Sequence, residues 1–267
     1  MRRATSVIGI LAVTALVVAT GAQGYNGGPL RNVTDLSPTC AGCHSSMQKE
    51  QLRVEPEAFA ASQVVETKHY KQLEAGEGPY KDVAPADRQK LLQDVKTHDA
   101  NASVTLSAPS SAKPGQEVQV TATVKGGSGV VGVFLLDTDL RFQSRPVSGD
   151  GWLIVGAPKV WGPDGKEQTK WVDSRGPGLK KNLNFALIFD MMSDIAARKF
   201  PEGKVTWTVR APHDPGTYSV AVAFIYGSEK ASPAGRVERA GTVFPRGGPA
   251  GPSSHIRFSA VHQITVR

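Results

Sequence analysis

From Asn101 onward, apolar and polar positions alternate. Val104-Thr105-Leu106, the stretch Val118–Val124 and the stretch Val130–Leu136 have the period-two, β-branched character of half-buried strands. Runs at Leu153–Val155, Leu183–Phe189, Val205–Val209, Tyr218–Tyr226 and Ile256–Val266 continue the pattern. Pro114-Gly115, Gly126-Gly127-Ser128-Gly129, Asp150-Gly151 and His213-Asp214-Pro215-Gly216 supply turns between them. Strands without intervening amphipathic helices predict an antiparallel β-sandwich. Only Met191–Arg198 has the composition of a short helical excursion.

Ahead of Asn101 the period changes to that of a helix. Ala58, Ala61, Val65, His69 and Leu73 recur three and four residues apart, so Glu55–Leu73 is predicted to form a helix with one apolar stripe. Pro56 suits its first turn and Gly76 its end. A second helix is predicted from Pro85 to about Thr97. Leu91 and Val95 mark its buried face, and His98 falls one turn further along that face.

The N-terminus reads as a signal peptide. Arg2 and Arg3 precede an apolar run from Val7 to Ala19, and small residues follow through Ala22. The run is shorter than the ~20 residues of a bilayer-spanning helix, so removal after Ala22 or Gly24 is expected over an uncleaved anchor. The expected organisation is therefore a leader at 1–24, a helical module at 25–100 and a β domain at 101–267. No membrane span is expected in the mature chain, which would reside in the periplasm or at the cell surface. The formal charge of +7 includes Arg2 and Arg3 and is spread along the chain. No dense basic run with interleaved aromatics points to nucleic acid.

Both cysteines of the chain, Cys40 and Cys43, fall in Cys40-Ala41-Gly42-Cys43-His44. On a helical turn, thiols at i and i+3 share one side, where each can add to a haem vinyl group. The imidazole at i+4 then reaches the iron. A disulfide, a zinc site and a redox dithiol compete for the same residues. Structural zinc wants four ligands and there is no second cysteine pair, while a thioredoxin-like dithiol would sit beside a βαβ pattern that the flanks lack.

The pentapeptide resembles the attachment site of c-type cytochromes at all three functional positions. That resemblance implies one covalent haem c on Cys40 and Cys43, with His44 as the proximal iron ligand. Further on, Pro114-Gly115 precedes the strand Val118–Val124. Val131–Leu136, then Val205–Pro212 and Gly216-Thr217-Tyr218, follow in turn. This order resembles the reeler-like, immunoglobulin-like sandwich that follows a CxxCH segment in some secreted bacterial proteins. It departs from that pattern in its Trp161–Lys181 insert and in lacking an inter-sheet cysteine pair. The expected fold class is thus multidomain, with a small all-α c-type haem module followed by an all-β immunoglobulin-like antiparallel sandwich.

The sixth iron position has two candidates in the helical region, His69 on the apolar stripe and His98 as the alternative. Met47 lies too close to His44 to reach the opposite face, His213 sits in a turn, and His255 and His262 read as surface or edge positions. No GxSxG, HExxH or phosphate-binding glycine loop is present. The expected function is electron transfer by an exported monohaem cytochrome, a carrier in preference to a catalyst, with the β-sandwich as docking or partner-binding module and redox proteins, other cytochromes among them, as partners. The alternative is a haem-based ligand-binding or sensor protein, or a structural envelope protein, with an open sixth iron site.

Overall fold

The computed structural model describes residues 70–137, 147–170, 183–247 and 254–267. The Cys40–His44 motif, His69, the leader and the expected helix up to residue 69 lie outside the described residues. The first described helix is a single turn, α1 (Gln72–Ala75), and it stops at Gly76 as expected. Gly76 takes a φ of 71°, its N–H closes on Leu73 O at 3.2 Å, and Glu77 N–H closes on Gln72 O at 3.1 Å. That left-handed cap is open to glycine at little cost.

The second helix, α2 (Pro85–Asn101), starts at the expected proline and runs a turn past the expected end. Asn101 Nδ2 donates to Thr97 O at 2.8 Å, a side-chain bond back onto the last turn. Its buried face comprises Leu91, Asp94, Val95, His98 and Asp99. Leu91 and Val95 join Leu73 and Tyr80 in a small apolar cluster.

Thirteen strands follow among the described residues: β1 (Ser103–Ser107), β2 (Ser111–Ala112), β3 (Glu117–Lys125), β4 (Ser128–Leu136), β5 (Leu153–Ile154), β6 (Lys159–Trp161), β7 (Phe185–Met192), β8 (Glu202–Arg210), β9 (Gly216–Gly227), β10 (Arg236–Arg239), β11 (Thr242–Pro245), β12 (Ser254–Phe258) and β13 (His262–Val266). One sheet runs β1-β3-β8-β5, with β6 also on β8. The other runs β2-β13-β9-β4-β7, with β12 also on β9, and β10-β11 form a separate hairpin. The alternation read from the sequence is realised in β3 and β8. Val118, Val120, Ala122 and Val124 point inward, as do Val205, Trp207 and Val209. They meet Val133, Leu135, Val222 and Phe224 of the second sheet in the main core. The Trp207 indole N–H is satisfied by Leu183 O at 2.8 Å.

The expected all-α haem module followed by an immunoglobulin-like antiparallel sandwich is not the observed architecture. The described chain is mostly β with two helices, and α2 buries its apolar residues against α1 and its polar ones against strand and loop residues. The reason lies in that face, because His98, Asp99 and Asp94 are buried polar groups that need partners. They find them on residues 127, 193, 232 and 255. Nor are the ladders all antiparallel, since β2 pairs parallel with β13.

Smaller expectations also change. The run Ile256–Val266 is two strands, because Ser259 exchanges its N–H and Oγ with Val222 O and N–H at 2.9 and 3.0 Å and interrupts the ladder. Met191–Arg198 is not a helix. β7 runs to Met192, and a turn closed by Asp194 and Lys199 follows, with reciprocal backbone bonds of 2.9 Å. No helix among the described residues is long and apolar enough to cross a membrane.

Candidate functional site

His98 and Asp99 are neighbours in the last turn of α2, and both side chains are buried. His98 Nε2 lies 3.0 Å from Gly127 N, 3.0 Å from Gly127 O and 3.1 Å from Ser193 Oγ. With the Gly127 N–H donating to Nε2, the ring proton belongs on Nδ1, which is turned toward Asp99 Oδ1 at 3.8 Å. Gly127 has a φ of 128°, and a Cβ there would stand 2.6 Å from Val131 Cγ1, so only glycine lets the backbone approach the imidazole this closely.

Asp99 joins three parts of the chain. Its Oδ2 accepts the Tyr70 hydroxyl hydrogen at 2.8 Å and lies 3.3 Å from His255 Nδ1 on β12. Its backbone carbonyl accepts Arg257 Nη2–H at 2.6 Å. Burial alone would raise the Asp99 pKa, but the His255 and His98 imidazoles and the Tyr70 hydrogen bond outweigh it and hold the carboxyl below its ordinary range. His255 stacks on Tyr226 at 5.8 Å and 19°, and Tyr226 stacks on Phe224 at 4.8 Å. Burial, and next the Asp99 charge, push the Tyr226 phenol well up.

A second buried carboxylate fastens the loop after β9. Glu229 is fully buried and accepts the Gly247 N–H at 2.8 and 3.1 Å on its two oxygens. Burial raises its pKa to about 7, against the opposing pull of Gly247 N–H, Tyr80 and Arg246. Arg246 reaches Asp82 at 2.8 and 2.9 Å, and Ser232 donates to Asp94 at 2.7 Å. The loop is thereby bound to the α1–α2 region at Asp94 and at Asp82.

Of the expected site residues, Cys40, Cys43, His44 and His69 lie outside the described residues. His98 is a hydrogen-bonded core residue, brought together with His255 across Asp99. His262 Nε2 lies 3.0 Å from Pro109 O at the surface. The described residues include no group of three or more His, Cys, Asp or Glu side chains able to hold a metal ion. The donors of residues 40–44, two thiols and one imidazole, are the set that a covalent haem would use.

Sequence reasoning missed His255, Asp99 and Glu229. The signal for His255 was the alternation of His255 and Arg257 with Ile256 and Phe258 in one short strand.

No protein family matches the chain, and no curated protein matches it. Solved structures do resemble it. A protein of Corynebacterium diphtheriae described as membrane anchored is 13% identical, with 62% of this chain and 35% of that one covered at a TM-score of 0.29. A family 123 glycoside hydrolase from Clostridium perfringens is 10% identical, with 62% and 27% covered at a TM-score of 0.28. The chain spans about a third of the first protein's length. These are likenesses between β-domains and carry no argument about function.

Proposed function

We propose that the chain is an exported electron carrier with one covalently attached haem c. The observation that carries this reading is the Cys40–His44 run, which takes up both cysteines of a 267-residue chain in the spacing that haem attachment uses. Haem bound there supplies a one-electron iron couple. Cys40 and Cys43 hold the macrocycle, and His44 ligates the iron from one side. The leader-like N-terminus supports export to the periplasm or cell surface, where a redox protein, another cytochrome among the options, would take or supply the electron.

On the other side of the iron, His69 is the first candidate. His98 is disfavoured because its Nε2 is engaged by Gly127 and Ser193 inside the core. The same observation favours a second reading, in which the sixth position is open and the protein binds a small ligand there. The contribution of the described fold is mechanical. Tyr70, which follows the motif-bearing segment, is bonded to Asp99 and fastens the start of the described chain to the β structure.

Absorption spectra of the purified holoprotein, oxidised and reduced, with and without carbon monoxide, test both readings. A low-spin spectrum unchanged by carbon monoxide is the expected result for an electron carrier with His69 bound. A carbon monoxide adduct of the reduced protein would move the conclusion to the open-site reading. Absence of a haem spectrum would overturn both.

A further inference from the structure

Thr123, Lys204 and Trp161 stand in one row across three strands. In register, Lys204 of β8 faces Thr123 of β3 on one side and Trp161 of β6 on the other. Residues directly opposed in a ladder project from the same face of the sheet. Their chain neighbours Val124, Val205 and Val160 lie in the main core, so this row is on the outer face. Glu202, two residues before Lys204 on β8, joins it there. Thr123, Glu202 and Lys204 are exposed and Trp161 is half-buried.

The chain beyond β6 forms a wall beside the row. Trp161 bridges to Glu167, Gly162 N–H donates to Lys166 O at 2.9 Å, and Gly165 N–H closes on Gly162 O at 3.0 Å. Gln168 then ties this turn to the second sheet. Its Nε2–H donates to Phe189 O at 3.2 Å, and its Oε1 accepts the Phe189 N–H at 2.9 Å. Between the turn and the row lies an open cleft of about 230 Å³.

We propose that this cleft binds a neutral saccharide, one pyranose ring of which packs on the Trp161 indole. The proposal does not depend on the haem reading.

Size is the first support. The cleft is smaller than the roughly 300–1,000 Å³ of pockets for drug-sized ligands, and it is open, which suits one ring of a longer chain.

Charge selects the class. Lys204 and Glu202 are the charged side chains of the lining, and among the described residues neither forms an ion pair. An anionic ligand would meet Glu202 and a cationic one Lys204, each at the cost of a like charge. Sugar hydroxyls accept from the ammonium and donate to the carboxylate, so a neutral polyol uses both. The Thr123 hydroxyl adds a group that does either.

The indole supplies the remaining surface. Lys204 Nζ lies 4.2 Å from the centre of the Trp161 ring, so a flexible, exposed side chain covers that face. Cation–π contacts at exposed sites are weak, and the lysine stem can turn aside for a ligand. The uncovered indole is flat and apolar, the complement of the C–H face of a pyranose. The hydrogen-bonded turn holds the wall in place before any ligand arrives, which lowers the ordering cost of binding.

Isothermal titration calorimetry of the full-length protein tests this, with hexamers of glucose, mannose, galactose and N-acetylglucosamine at millimolar concentration. At least one hexamer should bind. Trp161→Ala should weaken that binding by about tenfold or more, and Glu202→Ala by about tenfold. Leu153→Ala, an exposed position elsewhere on the same sheet, should leave it unchanged. Thermal melts check that each variant folds, and the exposed Glu202 position decides the matter if Trp161→Ala melts early. Failure of every hexamer to bind the parent, or parent-like binding by a folded Trp161→Ala or by Glu202→Ala, would overturn the proposal. So would tighter binding of a galacturonic acid hexamer than of the galactose one, because it would make the ligand an anion.

Discussion

Tyr70 donates its phenol hydrogen to Asp99 at 2.8 Å, so the segment that leads in from the CxxCH motif ends on the carboxylate that also faces His255 on β12. A buried carboxylate shared by a phenol and an imidazole makes this junction depend on charge as well as on apolar contact. Tyr70→Phe should cost about 1.5–3 kcal/mol, the usual range for a lost hydrogen bond to a charged group. Urea denaturation of the full chain measures it, and an unchanged midpoint would mean that the contact does not hold the junction.

Asp99→Asn should cost more, on the order of 3 kcal/mol, because it removes the charge that faces His255 and acts on Arg257, although the backbone bond to Arg257 stays. The Asp99 carboxyl is held below its ordinary value of 3.8. Its contribution is therefore present above about pH 4 and is lost as pH falls through the depressed folded value. The variant should show a flatter acid limb in stability measured between pH 5 and pH 2.

Glu229 has the opposite sign. Its pKa is raised from 4.5 to about 7, so the folded state holds the proton more tightly than the unfolded chain does. The contribution is fully present below about pH 4.5 and is lost as pH rises through 7, by on the order of 3 kcal/mol. Glu229→Gln keeps an acceptor for Gly247 N–H and removes the titration. Thermal melts at pH 5 and pH 8 should differ less for the variant than for the parent, and equal differences would contradict the account.

His98→Ala should cost about 2–4 kcal/mol, since it empties a fully buried site and strips Gly127 and Ser193 of their partner. The haem spectrum of the matured variant should match the parent. A shift to high-spin iron would instead make His98 the sixth ligand and require its ring to leave the core.

What the sequence shows and what it hides divide along physical lines. Local periodicity was legible: the alternation in Val118–Val124 and Val205–Val209 became β3 and β8, and Leu91, Val95 and His98 do share the buried face of α2. Gly76 ends its helix because a left-handed cap is a local requirement. The partners of those faces were not legible. Nothing near His98 announces Gly127 and Ser193, and nothing near Asp99 announces β12, because these contacts close over long sequence separations. His255 read as an edge residue because strand termini are usually exposed. The β10–β11 hairpin was missed because Arg236–Arg239 carries three charges in four residues. The helical period before Asn101 was read as an all-α unit, when the polar residues on that face were the sign of a helix seated on strands and a loop.

The central claim is that Cys40 and Cys43 hold a haem. Full-length protein matured with the cytochrome c machinery, denatured and run on a gel, tests it most directly when stained for haem peroxidase activity. The account predicts a haem-positive band for the parent and none for Cys40→Ala/Cys43→Ala. A parent band without haem, or a double variant that stains as strongly as the parent, would contradict it.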